Sequence, residues 1–163
     1  AAALKERDPQ LARFYRGLLA CEAKHHQIYI DLLDTIYDKD EVRKRLDEGA
    51  SIKARNRFGN TALISATRAG NLDIVKLLVE EGSNVDMLNT NAETAIMNAA
   101  SRGHEDIVRY LIDKNADIHK LSVKNISALM EAVFANHESI VKIFLKLSPL
   151  IIIVGPYNFV ISL

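Results

Sequence analysis

Gly59-Asn60-Thr61-Ala62-Leu63 returns twice along the chain at a step of 33 residues, as Ala92-Glu93-Thr94-Ala95-Ile96 and as Asn125-Ile126-Ser127-Ala128-Leu129. The next segment, Gly70-Asn71-Leu72-Asp73-Ile74-Val75-Lys76-Leu77-Leu78, keeps the same step. It returns as Gly103-His104-Glu105-Asp106-Ile107-Val108-Arg109-Tyr110-Leu111 and as Asn136-His137-Glu138-Ser139-Ile140-Val141-Lys142-Ile143-Phe144. A fixed period of this length marks a stacked solenoid, in which each unit buries its apolar face only against its neighbours. The reading is therefore an all-α repeat stack.

Local chemistry within one period supports helices. Thr61 and Thr94 can cap the free backbone amides of a first helix. Ala66, Ala99 and Ala132 are small enough for helices of adjacent units to approach closely. Ile74, Val75 and Leu78 form the apolar face of a second helix at i, i+1, i+4 spacing. Gly82 suits a left-handed cap after that helix.

With Asn56, Gly59, Thr61, Leu63, Ala66, Gly70, Ile74, Val75, Leu77, Leu78, Glu81 and Gly82 and their equivalents, the pattern resembles the ankyrin repeat family. The resemblance covers roughly three quarters of the chain. One feature departs from the commonest family pattern. The usual Pro-Leu-His after the Thr reads Ala62-Leu63-Ile64, Ala95-Ile96-Met97 and Ala128-Leu129-Met130. The expected organisation is a helical segment over 1–29, repeats over 30–148 and an irregular apolar tail over 149–163. The repeats comprise a leading partial unit, full units at 56–88 and 89–121, and a degenerate last one.

The resemblance implies a cupped surface made of the turn tips and the exposed side of the first helices, and a protein as the partner. By position the tips are Arg57, Phe58 and Asn60, then Thr90, Asn91 and Glu93, then Val123, Lys124 and Ile126. The helix positions are Ser65, Arg68, Asn98, Ser101, Arg102, Glu131 and Phe134. Phe58 and Phe134 stand out, because exposed aromatics often anchor interfaces. The competing reading packs Phe134 against the apolar tail and Phe58 against the neighbouring tip.

Composition narrows the partner class. At 163 residues the chain fits one domain. Its 21 basic and 21 acidic residues cancel, which argues against a general nucleic-acid or membrane-surface binder. The single cysteine, Cys21, excludes an internal disulfide framework and fits a reducing, cytoplasmic setting. No signal-peptide pattern is visible at the start, and the chain begins with Ala1, as a fragment would.

Ahead of the repeats, Asp8-Pro9 reads as an N-cap followed by proline at the first helical position. Helically spaced apolar residues from Leu11 to Ile36 predict a long capping helix, whose last part occupies the first-helix position of the leading unit. Val42 and Leu46 supply that unit's second helix, and Gly49-Ala50 its cap. Arg45 stands where Leu78 and Leu111 stand, which suits an end unit with a wet or covered outer face.

Glu22-Ala23-Lys24-His25 places a carboxylate and an imidazole on one helical face, so both could hold one metal. About residues 5–33 are similar to the final metal-binding helix of MiaE-type tRNA hydroxylases, ferritin-like di-iron enzymes. That resemblance implies Glu22 and His25 as a ligand pair. The site draws on four carboxylates and two imidazoles in one bundle core, and the remaining ligands are absent here. The pair therefore reads as a remnant in a helix used as an N-terminal cap.

After Leu145 the expected polar turn gives way to Lys146-Leu147-Ser148-Pro149. The tail from Leu150 to Leu163 carries no charge and is interrupted by Gly155-Pro156, too short and broken for an ordinary membrane helix. A chain end that no longer encodes a repeat, an improvised cap over the last repeat and an attachment segment all remain open for it.

No Gly-rich phosphate loop, zinc-type cysteine pair or nucleophile motif is present, and no cofactor is expected. The basic stretch Arg43, Lys44, Arg45, Lys53, Arg55 and Arg57 is interrupted by Glu41, Asp47 and Glu48, as on a solvated face. The functional expectation is a non-catalytic module binding another protein through Arg57, Phe58, Asn60, Arg68, Asn91, Glu93, Asn98, Arg102, Lys124 and Phe134. The alternative is a remnant or partial subunit of a tRNA-modifying di-iron hydroxylase.

Overall fold

Hydroxyl caps at 33-residue intervals start the first helix of each unit. Thr61 Oγ1 accepts from the Ile64 amide at 3.3 Å, Thr94 Oγ1 from Met97 at 3.4 Å, and Ser127 Oγ from Met130 at 3.3 Å. Each satisfies an amide that the helix itself leaves free. The structure, a computed structural model, describes residues 38–147. Those residues form seven helices and no strand: α1 Lys39–Asp47, α2 Ala62–Ala69, α3 Leu72–Glu80, α4 Ala95–Arg102, α5 Glu105–Asp113, α6 Ala128–Phe134 and α7 Glu138–Leu147. The expected N-terminal helix over 1–29, with Glu22 and His25, its continuation to residue 37 and the tail over 149–163 lie outside the described residues.

The helices form two rows. In the inner row α4 packs between α2 and α6. In the outer row α3 packs on α1 and α5, and α5 on α7, while each inner helix packs on the outer helix that follows it. The inner row runs on alanine: Ala66, Ala99 and Ala132 are all buried, as are Ala95, Ala100 and Ala128. The outer row supplies the bulk. Ile74, Val75, Leu77 and Leu78 of α3 are buried, as are Ile107, Val108 and Leu111 of α5 and Ile140 and Phe144 of α7.

Backbone conformation repeats with the same period. Positive φ occurs at Gly49, Gly82 and Asn115, at Gly59, Ala92 and Asn125, and at Gly70, Gly103 and Asn136. Glycine and asparagine tolerate this left-handed region, whereas alanine is strained there. Ala92, at φ 55°, is thus the locally costly residue of the series. At Gly70 freedom is only half the reason for glycine. A Cβ there would lie 2.7 Å from the His104 ring, and one at Gly103 would lie 2.6 Å from His137. Each imidazole therefore packs over the helix-ending glycine of the preceding unit. His104 Nε2 also sits 3.5 Å from the Arg68 carbonyl oxygen. The histidines are inter-unit contacts as well as turn residues, while Asn71 at the same register caps its own helix through the Ile74 amide at 3.1 Å.

The two ends differ from the middle. In α1, Val42 is buried and Leu46 half-buried, and Arg45 turns to Glu41 Oε1 at 2.7 Å. In the last unit Val133 is 39% exposed, where its equivalents Thr67 and Ala100 are fully covered by the following unit.

Leu78→Ala and Leu111→Ala should each cost about 2–5 kcal/mol in urea unfolding, the range for truncating a buried leucine. Ala92→Gly should raise stability by under about 1 kcal/mol, because relief of left-handed strain is partly offset by a freer unfolded chain. Gly70→Ala should lower it by more than about 1 kcal/mol. That cost should shrink in a His104→Ala background, and strict additivity would rule out the ring contact as its source.

Candidate partner-binding face

Each inner helix is preceded by a tight tip held by one polar side chain. Asn56 Oδ1 accepts from the amides of Phe58 and Asn60 at 2.9 and 3.0 Å, and Asn89 Oδ1 from those of Asn91 and Glu93, both at 2.9 Å. In the third tip Ser122 Oγ accepts from the Ile126 amide at 3.3 Å. Backbone bonds close the same three loops, from the amides of Asn56, Asn89 and Ser122 to the carbonyls of Asn60, Glu93 and Ile126.

The tips are tied to one another. Thr90 donates to the Phe58 carbonyl through its amide at 3.2 Å and its hydroxyl at 2.8 Å, and the Val123 amide donates to Asn91 at 2.9 Å. Asn89 Nδ2 donates to Asn60 Oδ1 at 3.0 Å and to Glu93 Oε2 at 2.8 Å. Arg55 reaches forward one unit, donating to the Leu88 carbonyl at 2.6 Å.

The expected site residues divide accordingly. Arg57, Asn91 and Lys124 are exposed on the tips, and Arg68 and Arg102 are exposed on α2 and α4. Phe58 is 50% exposed with the Arg57 guanidinium 4.7 Å from its ring centroid, and Phe134 is 57% exposed at the end of α6. Glu93 is half-buried. Two expected positions are interior. Asn60 is 3% exposed because its side chain is the acceptor for Asn89 across the repeat boundary. Asn98 is buried on α4, the helix packed between α2 and α6, and its Nδ2 turns back to the Thr94 carbonyl at 3.0 Å.

The structure also exposes Leu88 and Leu121, which the sequence reading did not single out, one residue before the anchors Asn89 and Ser122. Their signal was present: they share one register with Arg55, where a core position would not carry a guanidinium. Val123 beside them is exposed too.

The arginines pair differently on the two sides of the stack, although Lys39, Lys44, Lys76 and Lys146 of the outer helices make no ion pair with a described residue. Arg43, Arg45 and Arg109 of the outer helices each pair with a carboxylate, Glu81, Glu41 and Glu105 respectively. A hydrogen bond from Ser139 and then the Arg109 guanidinium hold the Glu105 carboxyl below its ordinary value of 4.5, linking α5 to α7. Burial, and then the nearby Glu80, push the Tyr110 phenol upward. A groove of about 510 Å³ lies between α5 and α7, with Arg109, Ile112, Lys142 and Ile143 in its wall. Among the described residues no group of three or more His, Cys, Asp or Glu could hold a metal ion. No described helix is long and apolar enough to cross a membrane.

The family described as ankyrin repeats (3 copies) matches residues 18–122 and 81–152. No curated protein matches the chain.

Asn89→Ala removes four side-chain hydrogen bonds from one tip and should cost about 2–4 kcal/mol by denaturant unfolding. Glu105 gives a pH prediction. Its folded pKa is depressed, so its contribution is present above 4.5 and lost as pH falls through the lower folded value. The stability advantage of the parent over Glu105→Gln should therefore be present above pH 4.5 and close over the pH range below it. An advantage unchanged across that window would show that the Ser139 and Arg109 contacts do not distinguish the ionised carboxyl.

Proposed function

The chain belongs to the ankyrin repeat family, and we propose that it is a non-catalytic module that binds another protein through its tips and the exposed stripe of its inner helices. Ankyrin repeats are generally protein-interaction modules, which sets the class. The observation that supports this face is the contrast in side-chain usage. Arg57, Phe58, Arg68, Asn91, Arg102, Lys124 and Phe134 stay exposed while the groups beneath them are consumed in bonds between repeats. Each inner helix is covered by neighbours on both sides or by its own outer helix. The exposed part lies toward the helix ends: Arg68 and Ala69 on α2, with Ser65 half-buried, and Ser101 and Arg102 on α4. A rigid scaffold bearing exposed aromatics and arginines is the composition that binding hot spots favour.

Asn60 and Asn98 drop out of the contact set, and Leu88, Leu121 and Val123 join it. Asn60 and Asn98 act from below, by holding the tip and the helix that present the others. Glu93 is shared, since its carboxylate is drawn inward by Asn89.

A photoreactive residue at position 58, 91 or 134 should cross-link a discrete protein in an extract of the source cell, whereas one at position 76, 109 or 142 on the outer helices should not. Phe58→Ala with Phe134→Ala should abolish the product, and each substitution should leave stability within about 0.5 kcal/mol, as for surface side chains. Cross-linking only from the outer positions would move the binding site to the other face.

A further inference from the structure

We infer that the partner segment recognised by this face is acidic and carries apolar side chains between its carboxylates; the inference rests on the binding reading above and gives it a chemistry. The face collects cations without a carboxylate partner. The three outer-helix arginines each lie within 4.0 Å of a carboxylate, but among the described residues Arg57, Arg68, Arg102 and Lys124 do not. Arg55 is committed to the Leu88 carbonyl and the Met87 sulfur, so its charge also remains uncompensated at the tips. Carboxylates on the same positions are Glu93 and Glu131, both half-buried, and Glu93 already accepts from Asn89. The chain as a whole is neutral, so this excess is a matter of placement, not composition.

A stretch of unpaired guanidinium groups is a surface lacking its anions, because Arg forms its strongest contacts with carboxylates and phosphates. The aliphatic side chains decide between them. Leu88, whose carbonyl Arg55 holds, Leu121 and Val123, in the tip that carries Lys124, and Phe58, under the Arg57 guanidinium, are all exposed, and Phe134 is exposed at the other end of α6. A phosphate backbone offers nothing for leucine and valine to bury against, whereas an acidic peptide with interspersed apolar residues satisfies both sets. The rise from tip to tip is fixed by the Thr90–Phe58 and Val123–Asn91 bonds, so an extended segment meets these groups at a regular spacing.

The test selects displayed random peptides of roughly twelve residues on the immobilised chain at low salt, beside a single-stranded oligonucleotide of matched negative charge. Enriched peptides should be acidic with Leu, Phe or Ile between the carboxylates. Their affinity should fall at least about tenfold in Arg68→Glu/Arg102→Glu, fall with added salt, and stay unchanged in Lys142→Glu. Neutral or basic enriched peptides, equal binding by the double variant, or tighter binding of the oligonucleotide would each overturn the proposal. Because the cross-linking experiment is indifferent to charge, a cross-link at position 58 with no acidic enrichment would leave the binding face standing and reject only its chemistry. Silence in both would reject both.

Discussion

The close approach of neighbouring inner helices is the constraint on which the rest of the stack depends. It is possible because Ala66, Ala99 and Ala132 present almost no side chain where α2, α4 and α6 meet. A repeat unit of two short helices cannot bury its apolar face alone, so this seam converts marginal pieces into one core. The larger outer-row residues, Leu78, Leu111 and Phe144, then fill the space behind it. A bulkier residue in the seam would separate the units and pull apart the tip-to-tip bonds, which demand a fixed repeat spacing.

Coupling across that seam is polar as well as apolar, and the polar part sits at the two ends of each inner helix. At one end the tips are joined by Thr90 to Phe58, Val123 to Asn91 and Asn89 to Asn60. At the other, His104 and His137 lie over Gly70 and Gly103. The units that carry α4 and α6 are thus each clamped to the one before at both ends of the inner helix. Preorganisation of this kind lowers the conformational cost of binding, since the presented side chains start from a fixed backbone.

Charge follows the same two-sided arrangement. The outer helices carry Glu41–Arg45, Glu105–Arg109 and Glu138–Lys142 pairs at i, i+4, which at solvated sites add little to stability. Arg57, Arg68, Arg102 and Lys124 make no such pair with a described residue, and their charges remain for whatever approaches the inner side.

The period, the caps and the core positions were legible in the chain itself, because they rest on contacts within about four residues and on apolar spacing. Thr61, Thr94, Ser127, Ala66, Ile74 and Leu78 could be assigned from residue type and register alone. Asn60 and Asn98 could not. Their burial depends on Asn89 arriving from 29 residues away and on α6 closing over α4, and an asparagine reads the same in a tip whether or not a neighbour reaches it. The roles of His104 and His137 were hidden for the same reason, since the glycine that each ring covers belongs to the preceding unit. Sequence alone determined that this protein is a stack and where each unit turns. Only tertiary structure decided which polar side chains hold the units together and which face outward, because a hydrogen bond between repeats is fixed by packing geometry that no local pattern encodes.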